Sequence, residues 1–169
     1  QATAMVFNEP GELFEEKKID LSSPEDGEVL VKISYSTICS SDLHTFSGRR
    51  ISPSPSILGH EIIGTIEAIG DIPVTDFYGD ILNIGDQVTW AVYAYDKNSK
   101  MSQKGIPQKS EGLYKYGHHK LSHTETLNGG FATHCILKSG TPIFRLPPGL
   151  AKPRSPPPRC GRCHAIAGW

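Results

Sequence analysis

Residues 38–48 read I-C-S-S-D-L-H-T-F-S-G, and residues 58–70 read L-G-H-E-I-I-G-T-I-E-A-I-G. Together they offer a thiolate (Cys39), two imidazoles (His44, His60), two carboxylates (Asp42, Glu61) and the hydroxyls of Ser40 and Ser41. Zinc takes thiolate, imidazole and carboxylate ligands, and a catalytic zinc uses three protein groups with one position left open. Cys39 and His60 stand too far apart in sequence for a local finger knuckle, so a folded scaffold has to bring them together. That arrangement suits an enzyme site better than a structural clip.

Outward from this stretch, the pattern is that of a β protein. Val29, Val31, Ile33 and Tyr35 alternate with Leu30, Lys32 and Ser34, which predicts a half-buried strand delivering its end to Cys39. Residues 40–46 read as one or two helical turns stopped by Gly48. Pro53-Ser54-Pro55-Ser56 reads as an extended connector, and residues 62–69 as a buried strand bent at Gly64. Further strands are expected at 2–7, 13–19, 87–92, 131–137 and 142–145, with turns at 8–11, 24–27 and 85–86 rich in Pro, Gly and Asp. Short strands at steady spacing predict a mainly β fold, a small and partly open barrel or sandwich.

C-S-S-D-L-H at 39–44, followed about twenty residues on by G-H-E-x-x-G at 59–64, resembles the zinc-dependent medium-chain alcohol dehydrogenases. Gly85-Asp86-Gln87-Val88 and Gly129-Gly130-Phe131-Ala132 extend the likeness, which runs to about residue 150. The resemblance implies the family's catalytic domain, a GroES-like partly open β-barrel with short helices, over residues 1–150. It implies Cys39 and His60 as zinc ligands, Asp42 as a partner fixing the His60 tautomer, and Ser41 and His44 as a proton relay. The family's third ligand is a cysteine from a following domain. Within this chain Glu61 is the group that can complete a weaker Cys39–His60–Glu61 set. The implied reaction is oxidation of a small alcohol to a carbonyl by hydride transfer to NAD(P). No G-x-G-x-x-G fingerprint on a βαβ unit is present, so NAD(P) is expected only where a nucleotide-binding domain is supplied. Plainer roles compete at several positions: a helix cap for Ser41, an exposed helix residue for His44, and backbone requirements for Gly59 and Gly64.

Residues 93–128 are polar and rich in Lys and Ser, an unusually long run without strand or helix signals. Many family members hold a structural zinc here with four cysteines. The equivalent spacing in this chain falls on Asp96, Ser99, Ser102 and Ser110, so the resemblance implies a lobe without structural zinc, and we expect it to be locally mobile. His118, His119 and His123 read as a loose surface cluster in it. On the following strand, His134 and Cys135 should face opposite ways.

From Lys152 onward the chain carries four basic residues, no acidic ones and no apolar periodicity, the composition of a disordered basic Pro-rich tail at 151–169. We expect this segment to be sequence appended by truncation, altered splicing or a change of reading frame. Its Cys160-Gly161-Arg162-Cys163-His164 matches the haem-attachment pattern C-x-x-C-H, for which chance occurrence and recruitment to zinc are the competing readings. With 169 residues and a net charge of −1, one domain with a true core is expected, with no electrostatic case for nucleic acid or an anionic membrane. No apolar run approaches the ~20 residues of a membrane span. The N-terminus lacks a signal-peptide pattern and the cysteines make no disulfide framework, so a reducing compartment such as the cytoplasm is expected. The alternative to an enzyme is a GroES-like module that meets a protein partner through an exposed apolar face, or an inactive truncated product.

Overall fold

The computed structural model describes residues 1–124 and 126–147. The expected tail at 151–169, with Cys160, Cys163 and His164, lies outside the described residues.

Two sheets form the body. β1 (Ala2–Phe7) pairs antiparallel with β2 (Glu15–Ile19) on one side and with β4 (Ser56–Ile57) on the other. The larger sheet has β3 (Val29–Ser36) and β5 (Ile62–Ile69) at its centre. β9 (His134–Leu137) lies beyond β3, while β6 (Gln87–Trp90) and then β10 (Ile143–Arg145) lie beyond β5; every pair is antiparallel. The two sheets are stitched where β1 meets the segment before β9. Met5 N–H donates to the Phe131 carbonyl and Thr133 N–H to that of Thr3, each at 2.8 Å. The result is the mainly β, partly open architecture expected from the strand spacing.

β5 shows why these residues make strands. Ile62, Gly64 and Ile66 are buried while Ile63, Thr65 and Glu67 are not, the period of two that puts alternate side chains on one face. Ile62 and Ile66 join Val29, Val31, Val88, Trp90, Cys135, Leu137 and Ile143 in the main core. Each such fully buried aliphatic side chain stabilises the fold by roughly 1.5–3 kcal/mol. Tyr116 sits wholly inside this core. Its hydroxyl accepts from Lys138 N–H at 2.8 Å and lies 2.6 Å from Thr141 Oγ1, so the buried polar tip is satisfied, while burial pushes its ionisation far up.

Three details differ from the sequence expectation. β3 does not alternate cleanly: Leu30 is buried and Tyr35 is 40% exposed. Its register against β5 shifts between Leu30 and Val31 and again between Ile33 and Tyr35, where Ile33 faces Gly64 and Tyr35 faces Ile63. Each bulge inserts an extra residue and turns the strand, which breaks the simple period. Several strands are also shorter than read, because irregular segments such as 131–133 continue the hydrogen bonding without regular pairing.

The third difference is the polar stretch 93–128, which is not structureless. β7 (Tyr93–Ala94) pairs with β8 (Tyr114–Lys115), and α2 (Lys100–Gln103) and a 3-10 turn at Pro107–Lys109 lie between them. Ser99 Oγ accepts from Ser102 N–H at 3.2 Å and caps α2. The hydroxyls of Ser99, Ser102 and Ser110 lie 2.7–3.2 Å from one another, so short polar side chains organise this lobe where periodic apolar ones are missing.

Among the described residues no helix is long and apolar enough to cross a membrane.

Candidate metal centre

The pairing of β3 with β5 carries the donors together. Ser36 faces Ile62, and the ladder runs one step further as Thr37 N–H donates to the Glu61 carbonyl at 3.1 Å. The chain leaving β3 therefore passes the chain entering β5 where Cys39 on one side meets His60 and Glu61 on the other. Their ligand atoms all lie within 4.8 Å of one another, with Cys39 and His60 buried and Glu61 half-buried.

α1 (Ser40–Phe46) begins at Cys39 and presents Asp42 inward, 2% exposed. Asp42 Oδ2 accepts from Cys39 N–H at 2.8 Å, and Oδ1 accepts from Gly59 N–H at 3.2 Å. The carboxylate thus ties the two donor-bearing segments together through their backbones. Its Oδ1 also lies 3.6 Å from His60 Nδ1, longer than a hydrogen bond. Ser41 Oγ stands 3.4 Å from His60 Nε2. Ser41 is half-buried, and His44, one turn on, is exposed.

Two participants carried no spacing signal. Thr37 Oγ1 donates to Glu61 Oε2 at 2.5 Å, orienting the carboxylate and leaving Glu61 Oε1 buried without a hydrogen-bond partner. Only its place two residues before Cys39 hinted at this. His118, read as part of a surface cluster, instead lies with its ring centre 5.0 Å from that of His60, tilted by 37°. Burial, with His60, Arg50 and Lys115 nearby, pushes its pKa down to about 4, so its imidazole is neutral near pH 7. Gly59 and Gly117 make the approach possible. A side chain on Gly117 would run into the Gly59 carbonyl, and one on Gly59 into the Phe131 ring. His119 turns away and stacks on Tyr114 at 4.4 Å, and His123 is exposed. Farther off on β9, Cys135 enters the core while His134 bonds Glu67 across the sheet at 3.0 Å.

A soft thiolate, an imidazole, a carboxylate oxygen with no partner and converging aim make a donor set that fits a zinc-type cation. The lobe positions Asp96, Ser99, Ser102 and Ser110 do not. They offer neither thiolate nor imidazole, and the three hydroxyls are already bonded to one another.

Residues 25–148 match the family model described as the alcohol dehydrogenase GroES-like domain. The chain belongs to that family. A D-arabinitol dehydrogenase of Uromyces fabae is 32% identical to this GroES-like chain over 139 residues, covering 82% of it and 36% of the relative. The 5-exo-hydroxycamphor dehydrogenase of Pseudomonas putida is 31% identical over 151 residues, covering 87% and 39%. Among solved structures, an alcohol dehydrogenase from Thermotoga maritima superposes with a TM-score of 0.78 at 25% identity, covering 87% of this chain and 41% of that one. The chain therefore spans about two fifths of the length of these dehydrogenases.

Proposed function

We propose that residues 1–150 are the catalytic unit of a zinc-dependent, NAD(P)-linked alcohol dehydrogenase, acting on a small alcohol or carbonyl compound. The observation that carries this reading is the convergence of Cys39, His60 and Glu61 within 4.8 Å inside a GroES-like alcohol dehydrogenase domain. These three residues would hold the zinc, which when bound supplies Lewis-acid polarisation of an alcohol oxygen. The protein's own groups do the rest. Asp42 holds both donor segments in place, and Thr37 keeps one Glu61 oxygen turned away so that the other faces the centre. Ser41 Oγ takes the alcohol proton, and His44, on the same face of α1 and exposed, passes it to water.

The part of the 93–128 lobe that bears Asp96, Ser99, Ser102 and Ser110 works without a structural metal of its own, held by its serine network. In this reading NAD(P) is held by a separate nucleotide-binding domain. Cys135 is a free, buried thiol, which suits a reducing compartment such as the cytoplasm.

Grafting the remaining length of the Uromyces fabae relative after Pro147 tests the proposal. The graft is expected to oxidise an alcohol from a panel of polyols and simple secondary alcohols with NAD+ or NADP+, and Cys39→Ala to abolish turnover. A graft that folds and binds both zinc and nucleotide yet oxidises none of them contradicts it.

A further inference from the structure

We infer that His118 is a fourth protein donor to the metal centre of Cys39, His60 and Glu61, an inference that rests on the zinc reading above. Among the polar atoms at this locus buried without a hydrogen-bond partner are two from metal-ligating side chains, Glu61 Oε1 and His118 Nδ1. A buried polar atom left unsatisfied costs about 1–3 kcal/mol, so two beside one cluster of metal-ligating groups need a common explanation. A carboxylate oxygen offers only lone pairs and a neutral imidazole offers one, so a single cation satisfies both.

The backbone supports this placement. Gly117 N–H donates to the Asn128 carbonyl at 2.9 Å and Gly130 N–H to the Gly59 carbonyl at 2.8 Å, while Gly117 lies directly against Gly59. The strap bearing His118 is thereby fastened to the segment bearing His60, and the two rings stand 5.0 Å apart. His118 is not among the donors that already lie within 4.8 Å of one another, so binding asks its side chain to turn toward them. His118 is half-buried and not part of the packed core, so its side chain is not locked there. With His118 the protein supplies four ligands, the number a closed tetrahedral zinc site takes. A substrate oxygen would then enter by displacing His118, which makes it a resting-state ligand rather than a fixed one.

Cobalt(II) titration of the full 169-residue chain, with Cys160 and Cys163 changed to Ser to remove the other thiol pair, decides the matter. The parent should show the intense visible bands of four-coordinate cobalt and a thiolate charge-transfer band. His118→Phe keeps a ring against His60 but has no donor. It should weaken the visible bands and lower cobalt affinity roughly 10–100-fold, the loss typical when support of a metal site is removed. His118→Leu, which also lacks a donor, provides a second variant if Phe does not fold, and circular dichroism in chelator checks that the fold is intact. A spectrum lost in Cys39→Ser but unchanged in a folded His118 variant overturns this inference alone. A parent without cobalt bands, or with bands indifferent to Cys39→Ser, overturns both it and the zinc reading.

Discussion

Both oxygens of Asp42 accept backbone N–H groups, one from Cys39 and one from Gly59. Removing the carboxylate strands two buried donors and frees the segments that carry Cys39 and His60. Asp42→Ala should therefore cost about 2–4 kcal/mol of stability, even in chelator, because each stranded donor carries its own desolvation cost. Urea unfolding measures this, and an unchanged midpoint would show that the carboxylate does not tie the segments. The sequence made Cys39, Asp42, His60 and Glu61 legible because they fall in two short stretches at recognisable spacings. Thr37 and His118 were not legible. A threonine before a cysteine is commonplace, and His118 reaches the site only through the contact of Gly117 with Gly59, some sixty residues apart in the chain. No local pattern records that kind of meeting.

At the scale of elements, α1 and β5 were readable to the residue, because Gly48 closely follows the one and Gly70 directly follows the other. β3 was readable as a strand but not as to which side chains it buries, since its two register shifts depend on what β5 does opposite it. The lobe between β7 and β8 was least legible. Its order rests on hydrogen bonds among Ser99, Ser102 and Ser110, which leave no hydrophobic trace. Ser110→Ala removes the buried member of that trio. It should lower stability by about 1 kcal/mol and speed amide exchange at 96–110, leaving β3 and β5 protected as before. Chelator should leave exchange in the lobe unchanged; exchange that quickens with chelator would mean that a metal holds it.

For the whole molecule, the alternating strands predicted the partly open barrel, and the family match over residues 25–148 agrees with it. The site is the harder inference, because the dehydrogenases it resembles are more than twice this chain's length. Ile38 and Leu43, on either side of Cys39 and Asp42, are 67% and 58% exposed, an apolar rim beside the candidate site. The claim on which everything functional rests is that Cys39, His60 and Glu61 hold zinc. Elemental analysis of the full chain carrying Cys160→Ser and Cys163→Ser, purified with zinc and dialysed, tests it directly. The account predicts about one zinc per chain, lost in Cys39→Ser, in line with a site that needs its thiolate. A folded parent without zinc, or zinc retained after Cys39→Ser, would contradict it.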